Sequence, residues 1–150
     1  GVLIPFLIHR TGNTGMVHGV DVSDRMIAEA QRKHSTIRNA SFIVIDVNDM
    51  KLAAQYDKIV CYSCFPHFID KEKTVTHLSS GLGKSGKLIV THSQSRDAIN
   101  KHHQGQSETA HNYLPTIDII EEMMIKSGLH VSYKEDNENL FIIIGMKSEI

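Results

Sequence analysis

Short runs rich in valine and isoleucine alternate along the chain with segments whose apolar residues recur every three or four positions. That order is expected of a parallel sheet joined by crossover helices. VLIPFLIH (2–9) opens it as part of a buried segment and the start of a helix, and TGNTG (11–15) follows as a turn cluster, because glycine and asparagine accept positive φ. MVHGVDV (16–22) predicts a strand. Ser23 can cap the helix after it, in which Met26, Ile27 and Ala30 share one face. SFIVIDV (41–47) predicts the next strand and YDKIVCYSCF (56–65) a third. KEKTVTHLSSGL (71–82) reads as a helix with Val75, Leu78 and Leu82 on one side, and GKLIVTHS (86–93) as a fourth strand. Pro115 suits the first turn of a further helix, whose stripe is Ile119, Ile120, Met123 and Met124 and whose end lies near Gly128. HVSYKED (130–136) and LFIIIGMK (140–147), joined by NEN, predict an antiparallel hairpin at the end of the sheet.

The segment 95–112 breaks this rhythm. It is polar, rich in histidine and glutamine, and longer than the usual two to six residues between a strand and a helix. Two readings stand: a lid over a binding site, or a solvated surface loop. If SRDAINKHH is helical, Arg96, Asn100 and His103 share one face and can look into a pocket, with His111 further on.

Composition narrows the class. The 150 residues, 41% of them apolar, suit one domain over 1–150, able to bury roughly 68–70% of its unfolded surface. Sixteen basic against seventeen acidic residues leave a formal charge of −1, and no run of like charge offers a footprint for nucleic acid or an anionic membrane. Apolar runs stop short of the ~20 residues of a membrane span, and the start lacks the features of a signal peptide, so a cytoplasmic location is expected. Cys61 and Cys64 are the only cysteines, too few for a disulfide scaffold.

In an open α/β sheet, ligands bind beyond the carboxyl ends of the strands. The residues there are Asp21, Asp46, Cys61 and His92. A strand-end carboxylate about twenty residues after a glycine turn can accept both hydroxyls of a ribose, and Asp21 lies twenty residues beyond Gly1. The plainer reading is that Asp21 begins a turn or assists the cap at Ser23. CYSC invites a redox pair or, with His67, a metal site. Residues three apart point to opposite faces of a regular strand, so these thiols converge only if the strand ends between them. The simpler assignment is Cys61 as a buried strand residue and Cys64 as loop. The ten histidines show no diagnostic metal spacing such as H-E-x-x-H, and a metal site is left unassigned.

Taken together, GVDVS with a helix behind it, IDVND ending the next strand, YDKIVCYSCFPHF, and GKSGKLIV before a last hairpin resemble the class I S-adenosylmethionine-dependent methyltransferases. The resemblance covers nearly the whole chain. It implies a Rossmann-like three-layer sandwich, mostly parallel, whose last strand runs antiparallel between its neighbours. It also implies S-adenosylmethionine as cofactor: Gly1 as the last glycine of the Gly-rich loop, Asp21 on the ribose, Val22 and Met26 flanking the adenine, Asp46 on its amino group, the backbone of Val47 on the ring nitrogen, and Cys61 and Tyr62 at the methionine end. FPHF would then floor a pocket for a small-molecule acceptor, with Phe65 and Phe68 apolar and His67 polar, joined by Arg96, Asn100, His103 and His111. Ser-Arg, Ile-Asn and His in 95–103 resemble a subgroup of small methyltransferases.

The strand that precedes the glycine loop in that family is absent, so the chain reads as truncated at its N-terminus and residues 1–150 alone are expected to fold poorly. Tyr62 stands where the family often has a small polar residue, and GKSG replaces its usual Lys-Pro-Gly-Gly turn. Methyl transfer needs a base only when the nucleophile must lose a proton, and His67, His92 and His103 are the candidates because imidazole titrates near neutrality. The rival readings are a nicotinamide-dependent oxidoreductase on a similar sheet and a non-catalytic fragment or binding module.

Overall fold

The computed structural model describes residues 1–53, 55–101 and 112–149, and residues 102 and 103 by their helical backbone. It divides into two compact units, Gly1–Lys51 and Leu52–Ile150.

In the first unit, helix α1 (Ile4–Thr11) starts with a proline in its first turn, where a missing N–H costs nothing, and stops at Gly12, whose φ of 66° suits glycine. The sequence places 2–9 in a buried segment. Instead only Ile4 of α1 is buried, while Val2 and Phe6 are exposed. Strand β1 (Val17–Asp21), helix α2 (Asp24–Lys33) and strand β2 (Ala40–Val44) form a parallel pair with its crossover helix. Strand β2 is shorter than the run 41–47 suggests, because Asp46 caps a 3-10 turn over Val47–Asp49. Ser23 caps α2 as expected, its Oγ accepting from the Met26 N–H at 3.3 Å. The apolar face of α2 is narrower than predicted: Ile27 and Ala30 are buried, whereas Met26 is 53% exposed. At Gly19, in the middle of β1, a Cβ would come within 2.9 Å of the Phe42 ring, so the glycine lets that ring lie across the strand.

The second unit contains strand β3 (Tyr56–Tyr62), a 3-10 turn over Phe65–His67, helix α3 (Lys71–Ser80), strand β4 (Leu82–His92), helix α4 (Arg96–His103), helix α5 (Ile117–Lys126), and strands β5 (Leu129–Asp136) and β6 (Phe141–Lys147). Its four strands are ordered β3-β4-β6-β5. The β3 and β4 strands are parallel, and β6 runs antiparallel to both of its neighbours, β4 and β5. Here the α/β architecture and the antiparallel terminal hairpin follow the sequence pattern. Asn137 closes that hairpin, its Oδ1 accepting from the N–H groups of Asn139 and Leu140 at 2.8 and 2.9 Å.

Val75 and Leu78 of α3, Leu88 and Val90 of β4, Ile120 and Met124 of α5, and Phe141 and Ile143 of β6 make the core. Every second residue of β6 from Phe141 to Gly145 is buried, the signature of a strand packed on one face. Two boundaries differ from the sequence reading. Leu82 is buried as the first residue of β4, opposite Tyr56, rather than on the last turn of α3. Pro115 precedes Thr116, the N-cap of α5, and so lies before the helix. Residues 95–112 are less loop-like than expected, since α4 occupies 96–103. The remainder of the expected lid, 104–111, lies outside the described residues. Among the described residues no helix is long and apolar enough to cross a membrane.

Candidate functional site

Parallel strands leave their last carbonyls and the following N–H groups open at one end, and side chains there face whatever binds. In the first unit β1 and β2 end side by side: Asp21 pairs with Val44, and the Ile45 N–H donates to the Asp21 carbonyl at 3.0 Å. The Asp21 carboxylate is half-buried, and one oxygen accepts from the Ser23 N–H at 2.9 Å. The turn reading and the binding reading are therefore compatible, because a carboxylate has about four acceptor sites. Asp46 is exposed and its Oδ1 accepts from the backbone N–H and the side-chain amide of Asn48 at 2.9 and 3.0 Å.

Two large apolar side chains stand beside these carboxylates in the chain, Val22 at 68% and Met26 at 53% exposure. Val47 opens the 3-10 turn right after Asp46. Two acceptors with exposed apolar surface at one end of a strand pair fit an adenosine, whose hydroxyls and amino group donate and whose ring is flat and apolar on its faces. Gly1 is not part of this group. Its carbonyl is bonded to the His34 ring at 2.9 Å and a Cβ would touch Ala30, which puts it at the last turn of α2 rather than the first.

In the second unit Cys61 and Tyr62 are the last residues of β3. Cys61 is 4% exposed. The Tyr62 hydroxyl donates to Ser93 Oγ at 3.2 Å, tying the end of β3 to the end of β4, where His92 is buried with Phe141 edge-on to its ring. Beyond β3 the chain turns through Ser63 into Phe65–His67. Phe65 is fully buried and packs edge to face on Phe68 at 5.7 Å, while His67 is exposed.

Lys71, which the sequence reading passed over, holds this turn. Its ammonium donates to the carbonyls of Pro66 at 3.0 Å and Phe68 at 2.8 Å and lies 5.0 Å from the centroid of the Tyr113 ring. The residue is only 6% exposed, and this desolvation lowers its pKa. A signal existed: a lysine at the first position of a helix opposes the helix dipole, which hints at another partner. Beside it Ile69, Asp70, Glu72, Tyr113 and Met123 complete the lining of an open pocket of about 350 Å³.

The helical phase expected of 95–103 is realised in α4. Arg96 pairs with Asp97 at 3.2 Å. Asn100, expected on substrate, is committed to the backbone instead: Nδ2 donates to the Leu114 carbonyl at 3.1 Å and Oδ1 accepts from the Leu114 N–H at 2.7 Å. Since Leu114 is fully buried, Asn100→Ala strands both backbone groups, and we expect it to cost about 1–3 kcal/mol of stability. Urea denaturation measures this, and an unchanged midpoint with impaired turnover would return Asn100 to the acceptor site. The His103 side chain and His111 lie outside the described residues. Among the described residues no group of three His, Cys, Asp or Glu side chains is placed to hold a metal ion.

Comparison with known proteins places the chain in a family. A family model described as a methyltransferase domain matches residues 1–140. The putative methyltransferase 235L of Invertebrate iridescent virus 6 is 29% identical over 76 residues, which is 51% of this chain and 28% of the viral protein, so the chain matches less than a third of that relative's length. Among solved structures, a SAM-dependent methyltransferase from Aquifex aeolicus is similar over 95% of this chain and 74% of its own, with a TM-score of 0.74 and 16% identity. The magnesium protoporphyrin IX methyltransferase of Synechocystis, crystallised with bound SAH, is similar over 89% of this chain and 64% of its own, with a TM-score of 0.68 and 19% identity. With its α/β fold shared by those structures and a family match running through nearly all of its length, the chain belongs to the methyltransferase domain family.

Proposed function

We propose that the protein transfers a methyl group from S-adenosylmethionine to a small-molecule acceptor, acting in the cytoplasm. The observation that carries this reading is the end of the β1–β2 pair, where Asp21 and Asp46 offer acceptors and Val22 and Met26 offer exposed apolar surface, in a chain of the methyltransferase domain family. When bound, S-adenosylmethionine supplies a methyl group on a sulfonium centre, already an excellent leaving group. Asp21 accepts from the ribose hydroxyls, Asp46 from the adenine amino group, and the Val47 backbone contacts the ring nitrogen. Val22 and Met26 cover the ring faces.

His67 belongs to the acceptor side, with Arg96, His103 and His111, while Phe65, fully buried, anchors the turn that carries His67. Orientation and desolvation carry most of the catalysis, worth up to ~7–11 kcal/mol in favourable intramolecular systems. Where the acceptor must lose a proton, His67 is better placed to exchange it with water than His92, because His67 is exposed and His92 is buried. His103 is the third candidate. Calorimetric titration tests the reading. Binding of S-adenosylmethionine at micromolar concentration, with none of a nicotinamide dinucleotide, is expected, and the reverse preference would move the protein to the oxidoreductases. Cofactor binding that never leads to transfer across a panel of small nucleophiles would make it a binding module.

A further inference from the structure

The two cysteines of the sequence are both free thiols, three residues apart at the point where β3 stops. In a continuing strand their side chains would diverge. Strand β3 ends at Tyr62, and Ser63 takes a φ of 53°, a left-handed conformation uncommon for a serine. The chain folds back at that residue, which sets the Cys61 and Cys64 side chains near enough to each other for Cys64 to act on the ionisation of Cys61.

The bend is held from both sides. The Ser63 N–H donates to the Thr91 carbonyl of β4 at 3.0 Å, and the Cys64 carbonyl accepts from the His67 N–H at 3.0 Å. We propose that Cys61 and Cys64 form a vicinal dithiol that low-molecular-weight disulfides of the glutathione class oxidise to an intrachain disulfide.

The two thiols have different parts in that reaction. Cys64 is the more exposed of the pair and attacks first: its thiolate displaces one glutathione thiolate from the oxidised dimer and forms a mixed disulfide. The Cys61 thiol then gives its proton to solvent and attacks the Cys64 sulfur, expelling the second glutathione. Two protein thiols are oxidised by two electrons, and one glutathione disulfide is reduced to two thiols, each taking up a proton. The neighbouring Cys64, followed by burial, holds the Cys61 thiol well above its usual pKa, so Cys61 does not itself attack the oxidised dimer and waits as the resolving group. The fixed bend makes the second step intramolecular and fast relative to a second encounter with glutathione.

This inference is independent of methyl transfer, and its readout is chemical. The full chain is incubated with excess oxidised glutathione, quenched with acid and digested with trypsin, which cuts after Lys58 and Lys71 and leaves both cysteines in one peptide. We expect that peptide to lack two hydrogens, both titratable thiols to disappear, and reductant to restore them. Cys61→Ser should stop at a stable glutathione adduct on Cys64, and Cys64→Ser should leave Cys61 unmodified. A wild-type chain that keeps both thiols, accumulates the mixed disulfide, or links two chains would overturn the proposal. Because the wild-type peptide alone decides it, a variant that fails to fold does not blunt the test.

Discussion

Replacing Asp21 with alanine should weaken S-adenosylmethionine binding by about ten- to a hundredfold. Hydrogen bonds to a charged group are worth about 1.5–3 kcal/mol, and each 1.4 kcal/mol is roughly a factor of ten in affinity. Asp21 has a second duty, because one of its oxygens accepts the Ser23 N–H just ahead of α2. The alanine variant therefore also loosens the start of that helix, and its melting temperature must be measured beside its affinity. Asp21→Asn separates the two roles. An amide oxygen still serves the turn but carries no charge for the ribose, so the asparagine variant should keep its melting temperature and lose most of the affinity. An unchanged dissociation constant in both variants would remove Asp21 from the cofactor site.

Phe141→Ala should cost about 3–5 kcal/mol of folding stability, the usual range for truncating a fully buried phenylalanine. That is a large share of the ~5–15 kcal/mol that holds a typical domain together. Phe141 is the first residue of β6, it faces His92 across the β4–β6 ladder, and its ring meets the imidazole edge-on with centroids 6.2 Å apart. The surrounding strands are hydrogen-bonded on both sides of β6 and cannot collapse into the gap. Phe141→Leu retains most of the volume and should cost under about 1.5 kcal/mol. Equilibrium urea unfolding distinguishes the pair, and equal midpoints would mean that the site relaxes freely.

Where the fold was legible, a period of two or of 3.6 persisted long enough to identify its element. Phe141, Ile143 and Gly145 mark the inner face of β6 by simple alternation, and Val75 and Leu78 mark that of α3. Leu82 misled because it continues the spacing of Val75 and Leu78 across Gly81, and only its pairing with Tyr56 makes it a strand residue. Met26 misled in the opposite sense: its spacing from Ala30 is helical, but the buried face of α2 is centred on Ile27 and Ala30.

At the site, the strand-end carboxylates could be found because topology decides where strand ends lie. The role of Asn100 could not, and for Lys71 the sequence hinted only that a partner exists, through a lysine at a helix start, and not which one. Each is set by a backbone group elsewhere, the carbonyls of Pro66 and Phe68 for one and Leu114 for the other, and side-chain periodicity carries no record of those partners. The bend at Ser63 was equally hidden, since serine rarely signals positive φ.

The position of β6 governs the order in which the second unit can be finished during synthesis. Strand β4 is complete at His92, yet the neighbour that covers its far edge ends at Lys147, more than fifty residues later. At roughly 5–20 residues per second, the ribosome leaves that edge bare for several seconds. During that time the β3–β4 pair presents an unpaired row of backbone N–H and C=O groups beside Leu88 and Val90, the kind of template on which nascent chains join one another. Strand β5 emerges in the interval before its partner, because among the described residues its ladder is with β6 alone. A nascent chain stalled between Asp136 and Phe141 should consequently be the form most in need of a chaperone, and release of a further ten residues should abolish that need by closing both ladders together.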